Sequence, residues 1–292
     1  MNSIASQPNP ATDFIARRAD FRKLHEAGFF VIPNPWDAGT ARYLRGLGFK
    51  ALATTSSGFA FTQGLPDAEW AVPRDAALQY IASIVAAVPD LPINADFESG
   101  YAHQPDAVAE NVSLCIATGV AGLSIEDATG NPAQPLYDLP LAVERIKAAR
   151  AAIDASGSGV LLTARAECYL VGHPDPLGEA IRRLTAYAEA GADVLYAPGP
   201  RTRADIEAIV SAVRPKPVNI LLTTSAGLSL AELADIGVRR VSVGSALART
   251  AWTGFIRAAR AIANESSMEG LDNSVTFTEL NSFFHKDHAD RQ

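Results

Sequence analysis

Short apolar runs recur along the chain, separated by longer segments rich in Ala, Arg and Glu. Eight of these runs, at 29–33, 50–54, 92–96, 122–126, 160–165, 193–197, 218–222 and 240–244, are rich in Val, Ile and Leu and read as strands. Most are nearly continuously apolar, which is the pattern of a strand covered on both faces. The intervening segments 73–88, 104–118, 140–155, 176–190 and 202–213 are long enough for helices. A repeated strand–helix order predicts a parallel sheet.

A weak internal repeat supports this order. Gly28, Gly48, Gly119, Gly191 and Gly237 each stand just before a predicted strand. Glycine suits a left-handed helix end, where a Cβ would be strained. Eight such units most simply close into a (β/α)8 barrel of the TIM type. The alternative is a doubly wound open sheet, but no G-x-G-x-x-G fingerprint follows an early strand. The expected division is an N-terminal tail at 1–13, the barrel at 14–265 and a C-terminal helical extension at 266–292. In that extension the aromatics of 275–284 are expected to pack on the barrel or on a neighbouring subunit. Residues 285–292 are expected to fray.

The length of 292 residues and 48% hydrophobic content suffice for a core without covalent staples. A net charge of −7 argues against nucleic acid as a partner, since binding it calls for a basic stripe. Two cysteines, Cys115 and Cys168, exclude a disulfide scaffold and a Cys-rich zinc site. The start has no signal-peptide pattern, and no apolar run approaches a membrane span. A cytoplasmic protein with no membrane partner is expected.

Active sites of such barrels form at the C-terminal ends of the strands. There the sequence places Thr54-Thr55-Ser56-Ser57, Asp96 and Glu98, Glu126-Asp127, Arg165-Ala166-Glu167, Tyr196, Asn219 and Ser242. Three acids on consecutive strands, without a Cys or His cluster, favour oxygen ligation of Mg²⁺ or Mn²⁺. Asp96 and Glu98 share a side only if the chain has already turned at Ser99-Gly100. The bland reading of each acid is a solvated strand end or a helix cap. Arg165 suits a substrate carboxylate or phosphonate; alternatively it neutralises Glu126 or Glu167. Thr54, Thr55, Ser56 and Ser57 offer donors to a second anionic group, or form an ordinary polar turn. The stretch 59–70 is too long for a tight loop, and its Asp67 is placed to reach the metal shell.

The remaining reactive residues read as structural. No His is placed in sequence to activate Cys168, and Cys115 lies in a helical segment. His103 and His173 follow strands three and five and are candidate acids or bases, though surface positions fit them as well. His25, His285 and His288 are expected on the surface.

Asn94-Ala-Asp96-Phe-Glu98-Ser-Gly-Tyr101 resembles the D-x-D-x-G-Y signature of the isocitrate lyase/phosphoenolpyruvate mutase superfamily. Gly122-Leu-Ser-Ile-Glu126-Asp127 resembles its G-[VL]-x-[IL]-E-D strand. Gly64-Leu-Pro-Asp67 is similar to its G-x-P-D, and Ala164-Arg165-Ala-Glu167 to its A-R-x-[DE]. Pro33-Asn34-Pro35-Trp36-Asp37 and Thr55-Ser56 fall in register with them. The resemblance spans roughly residues 14–265. It implies an α/β barrel that binds Mg²⁺ and a 2-keto or 2-hydroxy acid. Asp96 would be the direct ligand, Glu98, Glu126 and Asp67 would hold the metal's waters, and Thr55, Ser56 and Arg165 would grip the substrate carboxylate. It also implies a homo-tetramer or dimer that exchanges a C-terminal helix after residue 250.

Two departures narrow the activity. The K-[KR]-C-G-H loop of the lyase branch is replaced by residues 128–136, which hold no Cys, His or Lys. The Glu that several lyases carry after strand six is replaced by Ala197-Pro198-Gly199. The mutase branch's charged gating loop is missing too. What remains is the shared half-reaction, in which Mg²⁺ polarises a keto group and steadies developing enolate charge. The expected activity is cleavage of a C–C bond in a small 2-keto dicarboxylate, as in an oxaloacetate decarboxylase. Arg165 and Tyr196 would be the catalytic residues, with Thr54, Thr55, Ser56, Asp96 and Asn219 facing substrate. Protonation would come from Tyr196, His103, His173 or water. The alternatives are C–P chemistry on phosphonopyruvate, a methylisocitrate-type lyase, and a barrel that binds a keto acid without turning it over.

Overall fold

The computed structural model describes residues 10–225 and 227–291. Each predicted strand run contains a strand: β1 (Phe30–Ile32), β2 (Leu52–Ala53), β3 (Ile93–Asp96), β4 (Gly122–Glu126), β5 (Leu161–Arg165), β6 (Val194–Tyr196), β7 (Val218–Leu221) and β8 (Arg240–Ser242). All pair in parallel in the order β1-β8-β7-β6-β5-β4-β3-β2. This is the (β/α)8 barrel rather than the open sheet. The five glycines of the repeat all adopt positive φ, between 77° and 101°, as a left-handed helix end requires.

The ring closes through an unusual seam. Between β1 and β2 the backbone bond is Ala53 N–H to Pro33 C=O at 3.0 Å. Pro33 and Pro35 flank Asn34 and bring no N–H to a ladder. The Asn34 side chain substitutes for the missing groups. Its Nδ2 donates to Thr54 C=O at 2.8 Å, and its Oδ1 accepts from Val243 and Gly244 N–H at 3.0 and 2.9 Å. One buried amide thus ties β1 to β2 and to the end of β8.

Helices α2 (Ala38–Gly46), α4 (Arg74–Ala87), α5 (Pro105–Ala117), α6 (Leu139–Ala155), α7 (Pro176–Glu189), α8 (Arg203–Ala212) and α9 (Leu230–Ile236) separate successive strands. Leu123, Ile125, Leu162 and Ile220 of the strands are buried with Val112, Ile146, Leu184 and Ile209 of the helices in one apolar cluster. The stretch after β2 differs from the uniform loop predicted over 59–70. Residues Ser56–Thr62 form α3, capped by Thr55, whose hydroxyl accepts from Gly58 N–H at 3.1 Å.

Helix α1 (Pro10–Glu26) lies across the N-terminal end of the barrel. Its Phe21 is fully buried with Ile32, Ala53, Ala121 and Leu161. His25, expected on the surface, is buried there as well, because its ring fills the floor against Phe21 and Phe30. The centre of the barrel also departs from the apolar reading of the strands. The interior of such barrels is usually packed with branched aliphatic side chains. Here Asn94, Ser124, Thr163, Asn219, Arg240 and Ser242 are buried polar residues on five of the strands.

Two helices complete the chain, α10 (Ala246–Glu265) and α11 (Phe277–Ala289). Residues 285–289 are therefore helical rather than frayed. Asp287 holds this helix down: it is buried and faces Arg45 at 3.6 Å and Arg291 at 3.1 Å. Phe283 packs on Tyr43 at 4.8 Å between ring centres, while Trp252, Phe255 and Phe277 stay exposed. Among the described residues, no helix is long and apolar enough to cross a membrane.

Replacing Asn34 by Ala leaves one carbonyl and two N–H groups of the seam without partners. A buried unpaired group costs about 1–3 kcal/mol, so Asn34→Ala is expected to lower unfolding stability by about 3 kcal/mol in urea titration. Asn34→Asp keeps the acceptor and should lose less.

Candidate active site

A cavity of about 560 Å³ opens at the C-terminal ends of the strands and reaches down to Arg240. Its size suits a small organic substrate. Six carboxyl groups (Asp67, Glu69, Asp96, Glu98, Glu126 and Glu167) and two guanidinium groups (Arg165 and Arg240) line it. No Cys, His or Lys lines it among the described residues.

Arg165 is the centre of the charge. Nε donates to Glu167 at 2.6 Å, and Nη1 lies 3.1 Å from Asp96 and 2.9 Å from Glu126. Strand pairing sets Glu126 beside Arg165, and Arg165 in turn beside Tyr196, whose ring centre is 5.1 Å from the guanidinium carbon. Burial pushes the Glu126 and Glu167 carboxyls up, and Arg165 draws both back down. Arg165 neutralises Glu126 and Glu167, and Nη2 is the nitrogen these contacts leave over.

The hydroxyl turn is bound to Asp96. Ser56 donates to Asp96 Oδ2 from its N–H at 3.0 Å and from its hydroxyl at 2.8 Å. The Thr54 hydroxyl accepts from Asp96 N–H at 2.8 Å. The Thr55 hydroxyl caps α3, and its N–H donates to the buried Tyr80 hydroxyl. The donors read from sequence as free for an anion therefore go largely to positioning Asp96.

Glu98 lines the same cavity, and its carboxylate is held by two donors. It accepts from Tyr101 hydroxyl at 2.8 Å and Trp70 N–H at 3.0 Å. The chain turns at Glu98 itself, where φ is 45°, one step before the turn expected at Ser99-Gly100. Trp70 and Tyr101 are also left-handed, at 51° and 53°. Three strained non-glycine residues are thus joined by one carboxylate, an arrangement that accumulates at functional sites. Burial pushes the Glu98 carboxyl up to about 7. Asp67 sits at the solvent-facing rim, where desolvation and the charge of Asp96 push its carboxyl up.

Loop 128–138 folds over this side. Ala128 bridges Leu136, and Gly130 comes so close to Glu69 that a Cβ would lie 2.3 Å from the Glu69 Cβ. Tyr137 at the loop's end donates to or accepts from His103 Nδ1 at 2.6 Å, and the His103 ring lies 4.7 Å from Trp70. His103 therefore ties loops together outside the cavity lining. His173 bonds the Asp175 carbonyl, also outside it. Cys115 is buried, and burial pushes the buried Cys168 thiol up to about 12, so both read as structural. Asp127 behind the site is a buried anchor. It accepts from Tyr187 hydroxyl at 2.6 Å, Arg183 at 3.0 Å and Glu167 N–H at 2.9 Å, which fixes the backbone beside Arg165.

The structure thus gathers Asp96, Glu126, Arg165, Tyr196 and Asn219 around one cavity, with Asp67 at its rim. Among the described residues no three Asp, Glu, His or Cys groups are gathered closely enough to enclose a metal by themselves. Sequence reasoning gave no role to Arg240 or to the seam amide Asn34. Arg240 had no signal beyond being a charged residue at the start of an apolar strand.

The profile of the phosphoenolpyruvate phosphomutase family matches residues 21–263. A protein of Mycobacterium tuberculosis without an assigned function is 34% identical over 263 residues, covering 89% of this chain and 94% of its own. An oxaloacetate decarboxylase of Pseudomonas aeruginosa is 30% identical, covering 94% and 96%. A crystal structure from Burkholderia cenocepacia J2315, provisionally named a lyase/mutase, is 47% identical with a TM-score of 0.89, covering 94% and 98%. The motifs on β3, β4 and β5, the barrel that carries them and this match over most of the chain agree. The protein belongs to the phosphoenolpyruvate phosphomutase family of enzymes, within the phosphoenolpyruvate mutase/isocitrate lyase superfamily.

Proposed function

We propose that the protein is a Mg²⁺-dependent lyase that cleaves a C–C bond of a small 2-keto dicarboxylate, with oxaloacetate as the model substrate. The observation that carries this reading is the charge of the cavity. Six carboxyl groups face two guanidiniums there, with no side chain of the nucleophilic Cys, His or Lys type among the described lining. Such a site calls for an added cation and supports a reaction needing no protein nucleophile. Decarboxylation is one, and the Pseudomonas relative is named for it.

The donor set fits a hard divalent ion. Mg²⁺ keeps several waters and takes one or two protein carboxylates, so a closed cage is not required. Asp96 would hold it directly, and Glu98, Glu126 and Asp67 through water. Mn²⁺ fits the same oxygens. Bound there, the ion supplies Lewis-acid polarisation of the 2-keto oxygen.

The chain's own residues do the rest. Arg165 Nη2 and the amide of Asn219 bind the substrate carboxylate, and Ser56 and Thr54 hold Asp96 in place. As the C–C bond breaks, its electron pair moves toward the keto group and CO₂ leaves. The Tyr196 phenol then gives its proton to the carbon that lost CO₂. Burial pushes that phenol up to about 12, so it is protonated at neutral pH and able to donate. The exposed apolar residues of α10 and α11 support a homo-oligomer as part of this reading; sedimentation as a single chain would speak against it.

The first test is pyruvate release from oxaloacetate, phosphonopyruvate and 2-methylisocitrate with Mg²⁺, each beside an EDTA control. EDTA-sensitive release from oxaloacetate alone is expected, and Asp96→Ala should lower it by about 10³-fold, the scale of removing a preorganised electrostatic group. Release from phosphonopyruvate instead would assign C–P chemistry.

The pH dependence of metal binding is a second test. Glu98 must be ionised to attract the ion, and its carboxyl titrates at about 7. Calorimetric Mg²⁺ or Mn²⁺ affinity should therefore rise with pH up to about 7 and level off above it. In Glu98→Gln this rise should be much reduced.

A further inference from the structure

We propose that Arg240 forms a carboxylate subsite on the floor of the cavity, which receives the acidic end of a 2-keto acid longer than oxaloacetate. The proposal deepens the lyase reading and rests on it for where the reacting end lies; the subsite itself does not.

Arg240 is 3% exposed and sits inside the barrel, where it lines the lower part of the cavity. Its three hydrogen-bond partners are all neutral. Nε donates to Asn219 Oδ1 at 2.8 Å, Nη2 to Thr163 Oγ1 at 3.1 Å, and Nη1 to His25 Nε2 at 3.2 Å. A guanidinium carries five N–H groups, so these bonds leave one N–H on each terminal nitrogen. The ion-paired carboxylates of the cavity, Asp96, Glu126 and Glu167, all go to Arg165. Among the described residues Arg240 forms no ion pair. His25 is no counter-charge either, since burial and Arg240 hold its imidazole down at about 3 and keep it neutral.

A buried cation held only by dipoles is costly, and a side chain that only filled space would be better served by Leu or Met. The floor holds a second uncommitted group. Asn94 lines the same cavity, and its buried Oδ1 has no hydrogen-bond partner. One spare cation and one spare acceptor in a common cavity are built for a polar ligand group rather than for packing.

The dimensions select the ligand. The cavity of about 560 Å³ falls in the range that encloses ligands well above oxaloacetate in size. Thr163, which Arg240 bonds, and Arg165 lie two residues apart on the same face of β5, about 7 Å along the strand. An extended six-carbon keto diacid sets its two carboxyl carbons about 6 Å apart. Such an acid can meet Arg165 with its keto-acid head and Arg240 with its far carboxylate. Asn219, read above as reaching the head, bonds Arg240 and joins the two ends.

The carboxylate on Arg240 is the one retained. Losing it as CO₂ would strip a buried cation of its partner. The substrate class is therefore a 2-keto acid with a carboxylate to lose on the carbon beside the keto group, and an acidic arm on that same carbon. CO₂ leaves, its bonding pair passes to the keto acid as enolate, and one proton returns to the carbon. A 2-keto tricarboxylate trianion plus one proton gives a 2-keto diacid dianion and CO₂.

The test is calorimetric binding to the full chain with Mg²⁺, using 2-oxoadipate and its uncharged-end analogue 2-oxohexanoate. The six carboxyl groups of the cavity disfavour an extra negative end, so a preference for 2-oxoadipate has to come from a local cation. About tenfold tighter binding of 2-oxoadipate is expected, the scale of a charge-assisted hydrogen bond. In Arg240→Met the preference should vanish while oxalate, which fills the head alone, binds as before; Arg240→Lys should keep part of it. A preference that survives in folded Arg240→Met overturns the proposal. Formate tests a free carboxylate as the occupant. Added to the oxalate complex, it should leave the thermal midpoint where chloride leaves it; a rise found in the wild type and lost in Arg240→Met, without the keto-acid preference, keeps the subsite and assigns it to a free anion. Neither a preference nor a formate response in the wild type overturns the subsite, whether or not any variant folds. None of these readings needs cleavage. A preference in a protein that releases no CO₂ from oxaloacetate keeps the subsite and removes the lyase reading alone.

Discussion

The grouping of Asp96, Glu126 and Glu167 around Arg165 is the interaction on which the rest of the site depends. One guanidinium cannot neutralise three largely enclosed carboxylates, and like charges so close repel more strongly where little water screens them. The fold holds two of them from behind. Ser56 and Thr54 fix Asp96, and Asp127 pins the Glu167 backbone with the help of Arg183 and Tyr187. The residual negative charge is what makes the cavity a place for a cation and an acidic substrate together.

Strain accompanies this charge. Glu98, Trp70 and Tyr101 hold left-handed backbones and share hydrogen bonds through one carboxylate. The loops after β2 and β3 are thereby tied to each other. Tyr137 and His103 extend the tie to loop 128–138, and Arg145 stacks on Tyr137 while donating to the carbonyls of Ser99, Ala102 and His103. The loops above the carboxylates are thus joined into one set of contacts.

The barrel's interior carries a second departure from its usual construction. Polar side chains replace branched aliphatic ones on five strands, and Thr163, Asn219 and Ser242 bond one another or Arg240. The cost in packing allows the cavity to extend well below the strand ends.

Much of the architecture was legible without coordinates. Strands covered on both faces must be apolar, and helices ending in a left-handed turn favour glycine, so the eight units could be counted and ordered. A barrel places its chemistry at strand ends, so Asp96, Glu126, Arg165, Tyr196 and Asn219 could be nominated by position. These are properties of local pattern and chain order, which the linear sequence contains. The direction of each hydrogen bond is not among them. That Glu98 bonds Trp70 and Tyr101 depends on a backbone conformation unusual for glutamate. That His25 is buried depends on Arg240, which lies 215 residues away and meets it only when the ring closes. Those contacts arise from packing distant segments into one interior, and only the tertiary structure decides them.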